Sequence, residues 1–302
     1  MKKVPCPECG VNVRRDQLAR HRAMAHAMAG DRKGRRALLL AGSAIVLVVL
    51  LAWVAIRLSQ NTGDSGTEAG PPPDHTAVAV QFNTEDGWTI HGTYYRGNDS
   101  QPLIILVHGI GEDRTAYGSL VPELRNIGYN VLAYDSRGFG QSTLKNGSYR
   151  DWKSFTNQDY QGITNDLYSA KYYALSNFIS APRVAVIGAS IGANEALVFA
   201  AQTNATDNKA LVLLSPGENF HGIESAPALE TLNREGVAAH IFFGGSDGDA
   251  AAPAAFITAL HGSYNGSKTL DLLSGPRHGT QVLTDPPYRA RILDFLADAL
   301  SA

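Results

Sequence analysis

Residues 76–302 are expected to form an α/β domain, a mostly parallel sheet with helices on both faces. Two observations predict it. Short runs rich in β-branched residues alternate with longer helical stretches along this part of the chain. At Val184-Ala-Val-Ile-Gly-Ala-Ser-Ile-Gly-Ala193, a buried strand also passes directly into a helix through a tight turn.

Taken in order, residues 78–83 and 89–95 read as an opening hairpin around Asp86-Gly87, and 103–107 as a buried strand. A helix over 117–126 and a strand over 131–134 follow. Next come a helix over 160–178, the strand at 184–187 and the helix from Ile191. Strands over 210–214, 238–243 and 269–273 precede a last helix over 287–300. No internal repeat is visible.

The turn at Gly188-Ala-Ser-Ile-Gly192 carries the chemistry. A sharp strand-to-helix turn lifts the Ser190 hydroxyl out of the sheet, and glycines on either side let strand and helix approach. The Ile191 amide, at the helix N-terminus, faces developing negative charge. An activated serine needs a base and a group to orient that base. Of the histidines beyond the spacer, His278 lies in a loop just after the last strand, where parallel sheets place reactive groups. His108, directly after the strand at 103–107, is expected to be structural. The acid is expected in Gly244-Gly-Ser-Asp-Gly-Asp249, which offers Asp247 or Asp249. Asp247 is preferred because it sits closer to the expected strand end, and the order Ser190, Asp247, His278 suits such a fold.

Ordered motifs then accumulate: Phe82-Asn-Thr-Glu-Asp-Gly87, Val107-His-Gly-Ile-Gly111, Gly128-Tyr129, Asp135-Ser-Arg-Gly-Phe-Gly-Gln-Ser142, the serine turn, Leu214-Ser-Pro-Gly217, Gly-Gly-Ser-Asp247 and His278-Gly279. With them the chain from about residue 78 to 300 resembles the α/β-hydrolases, nearest to dienelactone-hydrolase-like and serine-aminopeptidase-like members. The resemblance implies that the amides of Ile110 and Ile191 form an oxyanion hole and that Asp135 and Arg137 are architectural. Only about two dozen residues separate the strands at 210–214 and 238–243, too few for a helical cap, so the site is expected to be open.

Residues 1–75 differ in kind. In 1–30, Cys6 and Cys9 at Cys-x-x-Cys spacing precede His21 and His26, a set able to close a tetrahedral zinc site. This segment resembles a two-Cys, two-His zinc finger, with Val13 and Leu18 as its apolar positions. Its spacer is one residue short, and Val13 stands where an aromatic residue is common. Its partner, protein or nucleic acid, is left open. A basic run at 31–36 precedes residues 37–56, which carry no charge and are long enough as a helix to span about 30 Å. Cationic residues crowd the N-terminal side, which places the N-terminus in the cytoplasm and the large domain outside. Residues 57–75, rich in Gly, Ser, Thr and Pro, read as a flexible spacer.

The expectation is therefore a single-pass membrane protein carrying a serine hydrolase for small ester, thioester or lactone substrates. No cofactor is expected for catalysis, and zinc only as a structural ion. The alternative is a catalytically silent binding module of the same fold in a zinc-finger sensor or adaptor. A net charge of −2 argues neither way about partners, and with only two cysteines no disulfide framework can hold the large domain.

Overall fold

The computed structural model describes residues 3–5, 12–14, 77–98, 100–179, 183–203, 208–237 and 239–301. The chain divides into two compact units, Met1–Pro72 and Pro73–Ala302. In the first, β1 (Lys3–Pro5) and β2 (Asn12–Arg14) pair antiparallel, with Val4 opposite Val13. The expected zinc ligands Cys6, Cys9, His21 and His26, the apolar stretch 37–56 and the spacer 57–75 lie outside the described residues. No helix among the described residues is long and apolar enough to cross a membrane.

The second unit opens with the hairpin β3 (Ala77–Asn83) and β4 (Trp88–Tyr95), then β5 (Leu103–Val107). Helix α1 (Val121–Ile127) leads to β6 (Asn130–Tyr134). A small edge hairpin follows, β7 (Leu144–Lys145) with β8 (Ser148–Tyr149), then α2 (Asn157–Gln161) and α3 (Thr164–Asn177). Strand β9 (Val184–Ala189) runs into α4 (Ile191–Thr203), and β10 (Asn208–Leu214) follows. Another small hairpin, β11 (Asn219–Phe220) and β12 (Ile223–Glu224), precedes α5 (Ser225–Glu235). The unit closes with β13 (His240–Ser246), α6 (Ala254–Ser263), β14 (Lys268–Leu273) and α7 (Pro286–Ser301).

Ten strands form one sheet in the order β14-β13-β10-β9-β5-β6-β4-β7-β8, with β3 paired to β4. The run from β14 to β6 is parallel, and β4 joins it antiparallel. Alternation along the strands feeds two cores. Leu103, Ile105 and Val107 of β5 face one side with α3, α4, α5 and α6, whereas Ile104 and Leu106 face the other with α1 and α7. A strand buried on both faces has no polar alternation, which is why β5, β6 and β9 read as continuous apolar runs. This is the α/β-hydrolase fold.

Three elements depart from the sequence expectation. The helix expected over 117–126 is a 3-10 turn, Arg114–Tyr117, followed by α1. Asp113 caps the turn, and Pro122, which cannot donate inside a helix, sits in the first turn of α1. The helix expected over 160–178 is two pieces, α2 and α3. The strand expected to end at residue 243 continues to Ser246 through Gly244 and Gly245. These glycines are needed for close approach rather than for a turn: a Cβ on Gly244 would lie 2.2 Å from the Tyr288 hydroxyl, and one on Gly245 would lie 2.6 Å from Ile257.

Candidate active site

Three parallel strands deliver the site from their C-terminal ends. Strand β9 ends at the serine turn, where Ser190 has φ 56°, a left-handed conformation that side chains other than glycine avoid. Its surroundings enforce it. The Ser190 amide donates to the Leu214 carbonyl at 2.8 Å. A Cβ on Gly188 would lie 2.1 Å from the Gly192 carbonyl oxygen, and one on Gly192 would lie 2.5 Å from that of Val107. The hydroxyl stands above the N-terminus of the 13-residue helix α4.

His278 follows β14 and brings Nε2 to 2.8 Å from Ser190 Oγ. Its other ring nitrogen, Nδ1, lies 2.7 Å from Oδ2 of Asp249, whose side chain is almost fully buried while that of His278 is partly exposed. Oδ1 of Asp249 accepts from the amides of Ala251 and Ala252 at 3.0 and 3.2 Å, so the carboxylate is held from both sides. The contact fixes the tautomer: Nδ1–H donates to the carboxylate, leaving Nε2 to accept the serine proton.

The preferred acid of the sequence reading, Asp247, is not the one that meets the histidine. It is exposed, its amide extends the ladder to the Leu273 carbonyl at 2.8 Å, and its carboxylate accepts from the Gly275 amide at 2.8 Å. The physical reason is the length of β13. With the strand running to Ser246, Asp247 is its first neighbour and faces the histidine loop's backbone. The turn closed by Asp249 N–H to the Ser246 carbonyl carries Asp249 inward.

The loop after β5 supplies the other wall. Gly109 packs so closely that a Cβ there would lie 3.3 Å from Ser190 Cβ. The Ile110 and Ile191 amides, the donors expected from the sequence, make no hydrogen bond to the described residues. Glu112 ties this loop to the histidine loop: one oxygen accepts from the Gly109 amide at 2.8 Å, and the other accepts from the Thr280 hydroxyl. Ser215 and Ser246 add further ties, through Gly279 N–H to Ser215 Oγ at 2.9 Å and Arg277 N–H to Ser246 Oγ at 3.3 Å.

His108 is buried and neutral. Burial lowers its pKa, Nε2 accepts from the Ser136 amide at 3.0 Å, and Nδ1–H therefore donates to the Gly109 carbonyl at 2.8 Å. Asp135 accepts from the amides of Arg114 and Gln141 at 2.9 and 2.8 Å and pairs with the Arg114 guanidinium. Arg137 is clamped by Asp166 and Asp86 at 2.7 and 2.6 Å. Burial opposes its charge, but the two carboxylates outweigh burial and raise the guanidinium pKa. Both charges hold turns in place and are distinct from the serine-histidine contact. Sequence reasoning missed Asp249 as first choice and passed over Glu112, Asn194 and Phe220. The continuation of Phe242-Phe243 into two glycines was the available signal for Asp249.

The family model described as serine aminopeptidase, S33, matches residues 98–239. An uncharacterized protein of Mycobacterium tuberculosis is 28% identical over 156 residues, 49% of this chain and 50% of that protein. Epoxide hydrolase B of the same organism is 34% identical over 77 residues, 25% of this chain and 20% of that protein. The chain thus spans about half the length, or less, of these curated relatives. Among solved structures, a Pyrococcus furiosus esterase superposes with TM-score 0.62 at 19% identity, covering 79% of this chain and 97% of that one. A Xanthomonas campestris protein described as an α/β serine hydrolase without lid gives TM-score 0.57 at 15% identity, over 77% of this chain and 99% of that one. These likenesses agree on the α/β-hydrolase fold.

Proposed function

We propose that this chain is a serine hydrolase that cleaves small esters, thioesters or lactones through an acyl-enzyme. One observation carries the reading: the line Ser190 Oγ, His278 Nε2, His278 Nδ1, Asp249 Oδ2, with contacts of 2.8 and 2.7 Å. Ser190 attacks the carbonyl carbon while Nε2 takes its proton, and Asp249 stabilises the imidazolium. The oxyanion accepts from the Ile110 and Ile191 amides, a donor pair of the kind whose single loss typically costs about a hundred- to a thousandfold in rate. His278 returns the proton to the leaving oxygen or sulfur. Water, activated by the same imidazole, then releases the acid and regenerates Ser190. The steps use only these groups.

The short connection between β10 and α5 supports an open site, in keeping with the lidless description of the Xanthomonas neighbour. The hydrolase is further proposed to sit outside a membrane spanned by residues 37–56, with Cys6, Cys9, His21 and His26 binding a structural zinc on the cytoplasmic side. That part rests on the sequence pattern. Protease treatment of intact cells should digest the large domain and spare the first 30 residues, and the opposite pattern would reverse the topology.

The test of the catalytic reading is reaction of the full chain with a fluorophosphonate probe. Labelling is expected in the wild type and expected to vanish in Ser190→Ala and His278→Ala. A folded wild-type chain that stays unlabelled would make the domain a binding module instead.

A further inference from the structure

The excursion between β10 and α5 has no part in the proton relay, yet hydrogen bonds tie its base to α4 and α5. At its base, Asn194 lies one turn into α4 from Ser190 and is fully buried. Its Nδ2 donates to the carbonyls of Gly217 and Ile223 at 2.9 and 2.8 Å, and its Oδ1 accepts from the Gly217 amide at 3.0 Å. Ser225 Oγ adds a bond to the Gly217 carbonyl at 2.7 Å. At the tip, His221 stacks on Tyr160 of α2, with ring centroids 4.0 Å and planes 16° apart. A hairpin clamped at base and tip is a fixed wall.

What the wall presents is Phe220. Its ring lies over Gly217, where a Cβ would come within 2.5 Å of it, and stands edge-on to the His278 imidazole with centroids 6.4 Å apart at 80°. Phe220 is half-buried and packs in the same apolar cluster as Ile110 and Ile191, the proposed oxyanion donors. The leaving oxygen must receive its proton from His278 Nε2, so the alcohol portion of an ester departs past the imidazole. The side chain flanking that ring therefore borders the path of the alcohol.

We propose that Phe220 is a specificity-determining residue that borders the leaving-group subsite and restricts it to short alcohols. The inference rests on the serine hydrolase reading above. An aromatic ring on an anchored backbone cannot yield to a long chain as a mobile flap would, and a single methylene in such a pocket typically changes kcat/KM by about ten- to two-hundredfold.

The experiment uses the full chain and two substrate series: ethyl, butyl and octyl acetate, which vary the alcohol, and 4-nitrophenyl acetate, butyrate and octanoate, which vary the acyl group. Phe220→Ala and Phe220→Leu are compared with wild type, and fluorophosphonate labelling of Ser190 is measured in each. Phe220→Ala is expected to raise the octyl-to-ethyl ratio of kcat/KM by about tenfold or more and to leave the acyl-series ratios within about threefold. Phe220→Leu, which keeps a side chain over Gly217, is expected to fall between. Unchanged alcohol ratios in variants that still label at Ser190 overturn the assignment of Phe220 and leave the hydrolase reading standing. A shift confined to the acyl series overturns it equally. A wild-type chain that neither labels nor hydrolyses either series overturns both readings.

Discussion

Ser190 occupies a backbone region in which a side chain costs about 1–3 kcal/mol, and such strain persists only where neighbours over-determine it. Here the neighbours are named, so the strain is testable. Gly192→Ala, whose new methyl would press on the Val107 carbonyl, is expected to lower stability by about 1–3 kcal/mol, read as a drop in melting midpoint, and to slow labelling of Ser190. Glu195, on the same helix, offers a second test. It is fully buried, takes one bond at 3.2 Å from the Tyr134 hydroxyl, and its Oε2 has no partner among the described residues. Burial first, with Asp166 adding to it, pushes its pKa well above the usual carboxyl range, against smaller opposing effects from Tyr134 and Arg137. The folded chain therefore keeps a proton that the unfolded chain loses. Stability from this group is complete below the ordinary carboxyl range and declines as pH rises towards the folded pKa. Glu195→Gln should gain on wild type in denaturation midpoint as pH rises above the ordinary carboxyl range, and a gap independent of pH would contradict this. At this scale Ser190 and His278 were legible, because the serine turn and the loop after the last strand carry local signatures. The choice between Asp247 and Asp249 was only partly so: Gly244 and Gly245 signal a longer strand, but what requires glycine there is contact with Tyr288 and Ile257 on helices packed against it.

Among elements, the loops that carry the reacting groups are laced to one another rather than each held by its own strand. Glu112 joins the loop after β5 to the loop after β14 through Gly109 and Thr280. Removing its carboxylate in Glu112→Ala should lower kcat by about ten- to a hundredfold with little change in KM, because the Ile110 amide and the imidazole lose their relative placement. Glu112→Gln can still accept from Gly109 and donate to the Thr280 hydroxyl, so it should recover most of that loss. Equal loss in both variants would assign the effect to charge instead. Strands and the long helices were legible from apolar runs and alternation. The β7-β8 and β11-β12 hairpins and the division of α2 from α3 were not, since they are short and owe their shape to contacts such as Asn194 with the Gly217 and Ile223 backbone. Truncating that clamp in Asn194→Ala leaves backbone groups unpaired and is expected to cost about 1–3 kcal/mol, measured by chemical denaturation.

For the whole molecule, one sheet covered on both faces brings the ends of β9, β13 and β14 to a common edge, and residues nearly ninety positions apart in the chain come within hydrogen-bond reach. The fold class and chain order of the site followed from the alternation of strands and helices and from the ordered motifs. The depth at which each loop turns inward came only from packing between distant elements. In the proposed mechanism Asp249, acting through His278, activates Ser190. The rate of fluorophosphonate labelling in wild type, Asp249→Asn and Asp247→Asn measures that role. Asp249→Asn is expected to slow labelling by on the order of a thousandfold or more, since an amide at that position favours the wrong imidazole tautomer, while Asp247→Asn stays within about tenfold of wild type. The reverse pattern, or equal rates in all three chains, would remove Asp249 from the mechanism.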